Sequence, residues 1–167
     1  MAELTKLESK LGEVVGLAMA AQAATRAVSK LARADGERER GVVAMLRRMQ
    51  DEAKQAEQRG KTAAASFKGK KSAILTEARE VKEKGAKMMA VYLDDDSETL
   101  DGLEFLTMAE AGEVGHWEIL AHLNKRARNA EVREVTSWGL PIQKRHLTDV
   151  RASLLQIADK EDPSEIS

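Results

Sequence analysis

Apolar side chains recur at steps of three and four along residues 3–33, which is the pattern of a helix that buries one face. The positions on this stripe are Leu4, Leu7, Leu11, Val14, Val15, Ala18, Ala21, Gln22, Thr25, Val28 and Ala32. A stop and turn follow at Ala34-Asp35-Gly36. A second stripe predicts another helix over 37–59, with Gly60 ending or interrupting it. Its positions are Val42, Met45, Leu46, Met49, Glu52, Ala53 and Ala56.

Three further helices are predicted after this point. They cover 72–89, 97–129 and 131–160, the first of them short and the other two long. Ser97 is the expected N-cap of the helix that follows it. Pro141 lies inside the last pattern and removes a backbone donor, so we expect a kink or a break there. The polar residues 161–167 are predicted to form a flexible tail.

The lengths of the connections indicate how these helices pack. Short connections join the first long helix to the second and the third to the fourth, which favours antiparallel neighbours. A long crossover over 61–96, carrying the short extra helix, joins the two hairpins. This is the layout of a ferritin-like four-helix bundle, and we expect a single all-α domain over 1–160.

Composition supports a helical protein and excludes several other classes. Of the 167 residues 33% are charged, only 3% are aromatic and none is Cys, which argues against a β-sandwich, a collagen or a disulfide scaffold. The first ten residues hold no apolar signal core, and the longest apolar run, 14–21, is too short to span a bilayer. We therefore expect a soluble cytoplasmic protein without a membrane partner. No nucleophile triad, nucleotide-binding loop or zincin motif is present, so no catalytic or cofactor-binding residues are assigned.

A basic segment over 61–87 carries eight basic and three acidic side chains. An acidic run over 94–101 follows it, which favours a solvated crossover over a phosphate or nucleic-acid contact. No aromatic ladder accompanies the lysines, and base stacking would need one. Because 27 basic and 28 acidic side chains leave a net charge of −1, no nucleic-acid partner is expected.

Polar residues on the apolar stripes are the candidates for chemistry, because a buried polar group needs a hydrogen bond, an ion pair or a metal. Gln22 is expected to be a hydrogen-bonded core amide, Met49 to fill space, and Glu52 to be a solvated carboxylate at the edge of its stripe. Gln143 and His146 share the inward face of the last helix at i, i+3, the position of the Glu-x-x-His element in di-metal bundles. They form either a satisfied core pair or part of a ligand set.

The third long helix is apolar almost all round, so its inward face stays open. Glu118 and His122 lie one turn apart and either bind a cation together or form a hydrogen-bonded pair. Glu110 and Glu113 have no Lys nearby in the sequence. If they face inward, each therefore needs a partner or a proton.

Several short motifs, in this order, resemble the YciE/YciF-type ferritin-like proteins. The motifs are Lys68-Gly69-Lys70-Lys71, Thr76-Glu77-Ala78-Arg79-Glu80, the stretch 95–106, and Val114-Gly115-His116-Trp117-Glu118-Ile119. The sharpest piece is His116-Trp117-Glu118-Ile119, with Trp where the family favours Tyr. The resemblance covers about residues 20–157. It implies a ferritin-like bundle, often dimeric, with a di-metal centre and a link to bacterial stress responses.

The resemblance also implies where metal ligands stand, and several of these positions are substituted. The substituted positions are Gln22, Met49, Gly115 and Gln143. The remaining candidates for metal ligands are Glu52, Glu118 and His146, with Glu110, Glu113, His116 and His122 as weaker ones. A di-iron site uses about four carboxylates and two imidazoles, so the survivors could hold one iron or manganese ion at partial occupancy, or none.

Two functions fit this sequence. One is a metal-binding ferritin-like protein with a non-haem iron oxidase or peroxide-consuming activity. The other is a metal-free structural or protein-interaction module, homodimeric, with Gln22, Met49 and Gln143 packed together in the core. The substitutions are typical of a dismantled redox centre, because fewer like charges then repel in a core without metal.

Overall fold

The structure is a computed structural model that describes residues 2–36 and 40–165. It contains five helices: α1 (Lys6–Ala34), α2 (Arg40–Ala65), α3 (Lys71–Tyr92), α4 (Thr99–Ala127) and α5 (Ala130–Ala158). The described residues form no β-strand, so the all-α prediction is confirmed. None of these helices is both long enough and apolar enough to cross a bilayer. Met1, the predicted start of the second helix over 37–39, and 166–167 of the predicted tail lie outside the described residues.

Four of the helices pack in a cycle, α1 against α2, α2 against α5, α5 against α4, and α4 against α1. Neighbours in the cycle run antiparallel. On α2 and α5, for example, Arg48 pairs with Asp149, and the later Glu52 pairs with the earlier Arg145. Two buried apolar clusters fill the space between the four helices, one toward each end of the helix axes.

The crossover helix α3 lies outside this cycle and packs along α1. Two glycines of α1 permit the close approach. A Cβ at Gly12 would lie 2.7 Å from the carbonyl oxygen of Ile74, and a Cβ at Gly16 would collide with the carbonyl of Ala78. These contacts advance in the same direction on both helices, so α3 runs parallel to α1 and returns the chain to the start of α4. With 22 residues, α3 is longer than the short helix that the sequence predicts.

The second helix does not end where the sequence predicts. It continues through Gly60 to Ala65, so the predicted end at residue 59 is wrong. Gly60 lies at a close contact between α2 and α1, because a Cβ there would overlap the side chain of Val15. Ala63 and Ala64 beyond it are buried, and this packing offsets the low helix propensity of glycine. The crossover therefore covers 66–98 instead of 61–96.

The start of α4 also differs from the prediction. The helix begins at Thr99 with Glu98 as N-cap, so the predicted N-cap at Ser97 is wrong. Glu98 and Asp101 form a capping box, in which the Asp101 carboxylate accepts the backbone N–H of Glu98 at 2.8 Å. The hydroxyl of Ser97 instead accepts the backbone N–H of Asp94 at 2.9 Å.

The last helix runs without interruption, so of the kink and the break predicted at Pro141 the break does not occur, and the kink stays a prediction. Its start is fixed by Asn129, whose side chain accepts the backbone N–H of Val132 at 2.9 Å. Pro141 removes one helical hydrogen bond. The buried residues Gln143 and His146, directly beyond it, hold the helix against α4 and α2.

Candidate functional site

Four polar side chains from three helices converge between the two apolar clusters. Glu52 comes from α2, Glu110 from α4, and Gln143 and His146 from α5. Three of them are almost fully buried, with exposed fractions of 1% for Glu110, 6% for Gln143 and 3% for His146. Side chains of this kind are stable in a core only when they pair with one another.

The imidazole of His146 bridges the two carboxylates. Its Nε2 donates to Oε2 of Glu52 at 2.6 Å, and its Nδ1 lies 3.7 Å from Oε2 of Glu110. The same Glu110 oxygen accepts a hydrogen bond from the side-chain amide of Gln143. The cluster thus links α2, α4 and α5 through one protonatable ring.

The positively charged side chain of Arg145 lies on the solvent side of the cluster. The guanidinium of Arg145 donates to Oε1 of Glu52 at 2.5 Å. Burial raises the pKa of Glu52, but hydrogen bonds and charges from His146 and Arg145 outweigh it, so the pKa lies below its ordinary value. Burial lowers the pKa of His146, but Glu110 and Glu52 outweigh it, so this pKa is raised. The charged forms of the carboxylate and the imidazole therefore stabilise each other.

These side chains do not fit a di-metal centre. Such a centre needs about four carboxylates and two imidazoles, whereas this cluster offers Glu52, Glu110 and His146. Glu52 lies at Nε2 of His146 and Glu110 at Nδ1, and these two ring nitrogens point in different directions. The two carboxylates and the imidazole therefore cannot bind one ion together. The charge of Arg145 at Glu52 further opposes a cation. Within 2–36 and 40–165, no three His, Asp or Glu side chains are grouped in a way that could hold a metal ion.

Glu118 and His122 lie away from this cluster, on the outer surface of α4. The Glu118 carboxylate is 2.8 Å from Nζ of Lys144, which lowers the pKa of Glu118. His122 donates from Nδ1 to the backbone carbonyl of Glu118 at 2.9 Å. Their side chains do not pair with each other, and the structure does not bring Glu118 to Glu52 and His146.

The two weaker candidates of the middle of α4 have different surroundings. Glu113 is 5% exposed, and burial together with the charge of Glu110 raises its pKa well above the ordinary value. His116 lies nearer the surface, with Nδ1 at 2.9 Å from Oε2 of Glu13 and 3.3 Å from Nζ of Lys10. His116 thus pairs with α1 and not with the His146 cluster.

The residues at the substituted ligand positions do not form one cluster in the structure. The amide of Gln22 donates to Oε2 of Glu57 at 2.6 Å, which confirms it as hydrogen-bonded but directs it away from Gln143. Met49 is 1% exposed and packs in the apolar cluster nearer the start of α2. A Cβ at Gly115 would meet nothing within 4 Å, so this residue faces open space. The expected common packing of Gln22 with Gln143 is therefore wrong.

Sequence reasoning missed Arg145 and Glu57, which satisfy polar groups of the predicted candidates. Arg145 directly precedes His146, so it lies about 100° away around the helix and can reach Glu52 from the solvent side. Glu57 follows Glu52 by five residues. Its carboxylate accepts hydrogen bonds from the amide of Gln22 and from Nζ of Lys61, the latter at 2.5 Å from Oε1. The signal in each case is a charged residue at the border of an apolar stripe.

Comparison with known proteins gives this chain no relative. No family model matches it, and neither a curated protein nor a solved structure does so. The likeness to YciE/YciF-type proteins therefore depends on the short motifs around residues 68–80, 95–106 and 114–119.

Proposed function

We propose that the chain is a ferritin-like bundle protein of the YciE/YciF type with at most a residual divalent metal site. In this proposal it works as a metal-free structural or protein-interaction module in the bacterial stress response. Support for the bundle comes from the cycle of α1, α2, α5 and α4 and from the long crossover through α3.

One observation supports the metal-free form above the others. His146 lies between Glu52 and Glu110, with Arg145 on the far side of Glu52. In a di-metal bundle the carboxylates are neutralised by the bound cations. Here two cationic side chains provide that neutralisation, so the carboxylates do not need an ion for stability in the core.

A residual site for one iron or manganese ion is the second candidate. It is favoured by the 2.6 Å distance between Glu52 and Nε2 of His146, which are a carboxylate and an imidazole of the kind that such ions bind. These two groups would be the only protein ligands of the ion, so we expect the metal to bind weakly.

Metal analysis of protein purified without added metal tests the two candidates. The wild type is compared with Glu52→Gln, which alters the interior cluster, and with Glu118→Gln, a matched change on the outer surface of α4. We expect far less than one iron or manganese per chain in all three. An equimolar content that is lost in Glu52→Gln and kept in Glu118→Gln would contradict the metal-free form.

Homodimerisation belongs to the same proposal. The outer surface of α4 supports it, because Ile119, which is 47% exposed, and Leu123 line one apolar depression there together with Gly115. Sedimentation equilibrium is expected to give twice the mass of the chain for the wild type and a lower mass for Ile119→Lys. A monomer at all concentrations would exclude this part of the proposal.

A further inference from the structure

A pocket of about 480 Å³ lies between α1, α3 and α4, and Glu110 of the interior cluster contributes to its lining. It forms because α3 packs along α1 and leaves a gap toward α4. Its apolar lining is provided by Leu17, Val81, Met88, Phe105, Leu106 and Met108. The volume lies within the range of about 300–1,000 Å³ that is usual for pockets that bind small molecules.

The carboxyl group of Glu113 borders this pocket and is incompletely satisfied. The residue is 5% exposed, and no hydrogen bond or ion pair among 2–36 and 40–165 involves its carboxyl group, whose oxygens border the pocket instead of being enclosed as Nε1 of Trp117 is. A buried carboxyl without a partner costs free energy in either protonation state. A molecule in the pocket could supply the missing partner.

The other charged groups around the pocket are mostly acidic. Glu13, Glu77, Glu110 and Glu113 line it, against Lys84 and His116. Some of these are already paired. Glu13 contacts Lys10 and His116, and Glu110 contacts Gln143 and His146. An anion entering the pocket would meet the charge of Glu110, whereas a cation would find in the carboxyl group of Glu113 an acceptor with no competing partner.

We propose that this pocket binds a small molecule with an apolar body and a single ammonium group. On binding, Glu113 releases to solvent the proton that it holds in the free protein, the ammonium group donates to the resulting carboxylate, and the apolar body lies against the lining side chains of α3 and α4. A neutral apolar molecule would leave Glu113 unpartnered, and a bare metal ion would leave the apolar walls unfilled. The proposal shares Glu110 with the interior cluster but does not depend on the function proposed above, because the amine contacts Glu113 and not Glu52 or His146.

Calorimetric titration of the full chain with three probes of equal length tests this proposal. The probes are octylamine, octanol and octanoate, each at neutral pH and below its aggregation concentration. We expect octylamine to bind one per chain, about tenfold or more tighter than octanol, because a hydrogen bond to a charged group adds to the same apolar contact. Octanoate is expected to bind most weakly. Absence of octylamine binding, or equal affinities for octylamine and octanoate, would overturn the proposal.

Variants identify the site within the chain. Glu113→Gln is expected to weaken octylamine about tenfold and leave octanol nearly unchanged, whereas the surface control Glu118→Gln changes neither. Gly112 also lines the pocket, and a Cβ there meets nothing within 4 Å. Gly112→Leu should therefore fill the pocket without disturbing the fold and abolish binding of octylamine and octanol alike. Unchanged octylamine binding in Glu113→Gln, or in a folded Gly112→Leu protein, would place the amine elsewhere and refute the assignment.

Discussion

Gly139 of α5 lies directly beneath the indole ring of Trp117 of α4. A Cβ added at Gly139 would collide with the six-membered ring, whose atom Cζ2 would lie at 3.0 Å and whose atoms Cη2 and Cζ3 would lie closer. Trp117 is 1% exposed, and its Nε1 has no hydrogen-bond partner among the described residues. The glycine therefore makes room for the largest side chain of the core, next to the proline of the same helix.

Gly139→Ala is expected to destabilise the protein by about 1–3 kcal/mol, because the added methyl group overpacks a ring that has no space to move. Urea denaturation followed by circular dichroism measures the change. Gly112→Ala is the matched control, since its Cβ meets nothing within 4 Å and the helix should gain about 0.5–1 kcal/mol from the better helix former. Equal effects of the two changes would show that the Trp117 contact does not limit the packing.

The helices were predictable because their apolar positions repeat at the helical period. The errors in the helix bounds occur at Gly60, where the contact with α1 decides the outcome, and at Ser97, where the capping box of Glu98 and Asp101 does so; at Pro141 the helix is not broken. Glycine and proline lower helix propensity locally, but the burial of Ala63 and His146 beyond them outweighs this effect. Propensity alone does not reveal which neighbouring helix a residue will touch.

The burial of Gln143 and His146 was predictable for the same reason, since both lie on a clear apolar stripe. The direction of Glu118 was not, because α4 is apolar on nearly all sides and its stripe does not identify one inward face. Arg145 could not be assigned to Glu52 from the sequence, since that contact depends on how α2 and α5 are placed. The apolar pattern along one helix predicts which side chains are buried more reliably than which residues of other helices they contact.

Gly16→Val is expected to loosen the contact between α1 and α3. The glycine lies against the backbone carbonyl of Ala78, which cannot rotate away as a side chain could. We expect a loss of about 1–3 kcal/mol in the free energy of unfolding and faster amide hydrogen exchange in α3 than in α5. Gly112→Val, whose Cβ lies in open space, is the control. Unchanged exchange in α3 would contradict the close packing.

The ion pair between Glu52 and His146 is expected to contribute about 1.5 kcal/mol in a double-mutant cycle with Glu52→Gln and His146→Gln. The pKa of His146 is raised, so its contribution is complete below the ordinary value of 6.5 and is lost as pH rises through the folded-state pKa. The pKa of Glu52 is lowered, so its contribution is complete above 4.5 and is lost as pH falls through the folded-state pKa. Denaturant unfolding of the four proteins should therefore give the largest coupling between these two values.

The exposed pair of Glu118 and Lys144 provides the comparison for that cycle. Both side chains are about half exposed, and solvent screens the attraction between them. A cycle with Glu118→Gln and Lys144→Gln is expected to give a much smaller coupling. If both cycles gave the same coupling, the interior position of His146 would have no special effect.

Glu113→Gln is expected to stabilise the protein increasingly as pH rises. The folded-state pKa of Glu113 is raised by burial and by Glu110, so the unfolded chain ionises above 4.5 while the folded chain retains the proton. The wild type should therefore lose up to about 1.4 kcal/mol per pH unit relative to the variant until pH passes the folded-state pKa. At acid pH both side chains are neutral and similar in size, so the two proteins should have nearly equal stability. Chemical denaturation across this range measures the difference, and a constant difference would mean that the carboxyl group is already ionised in the folded protein.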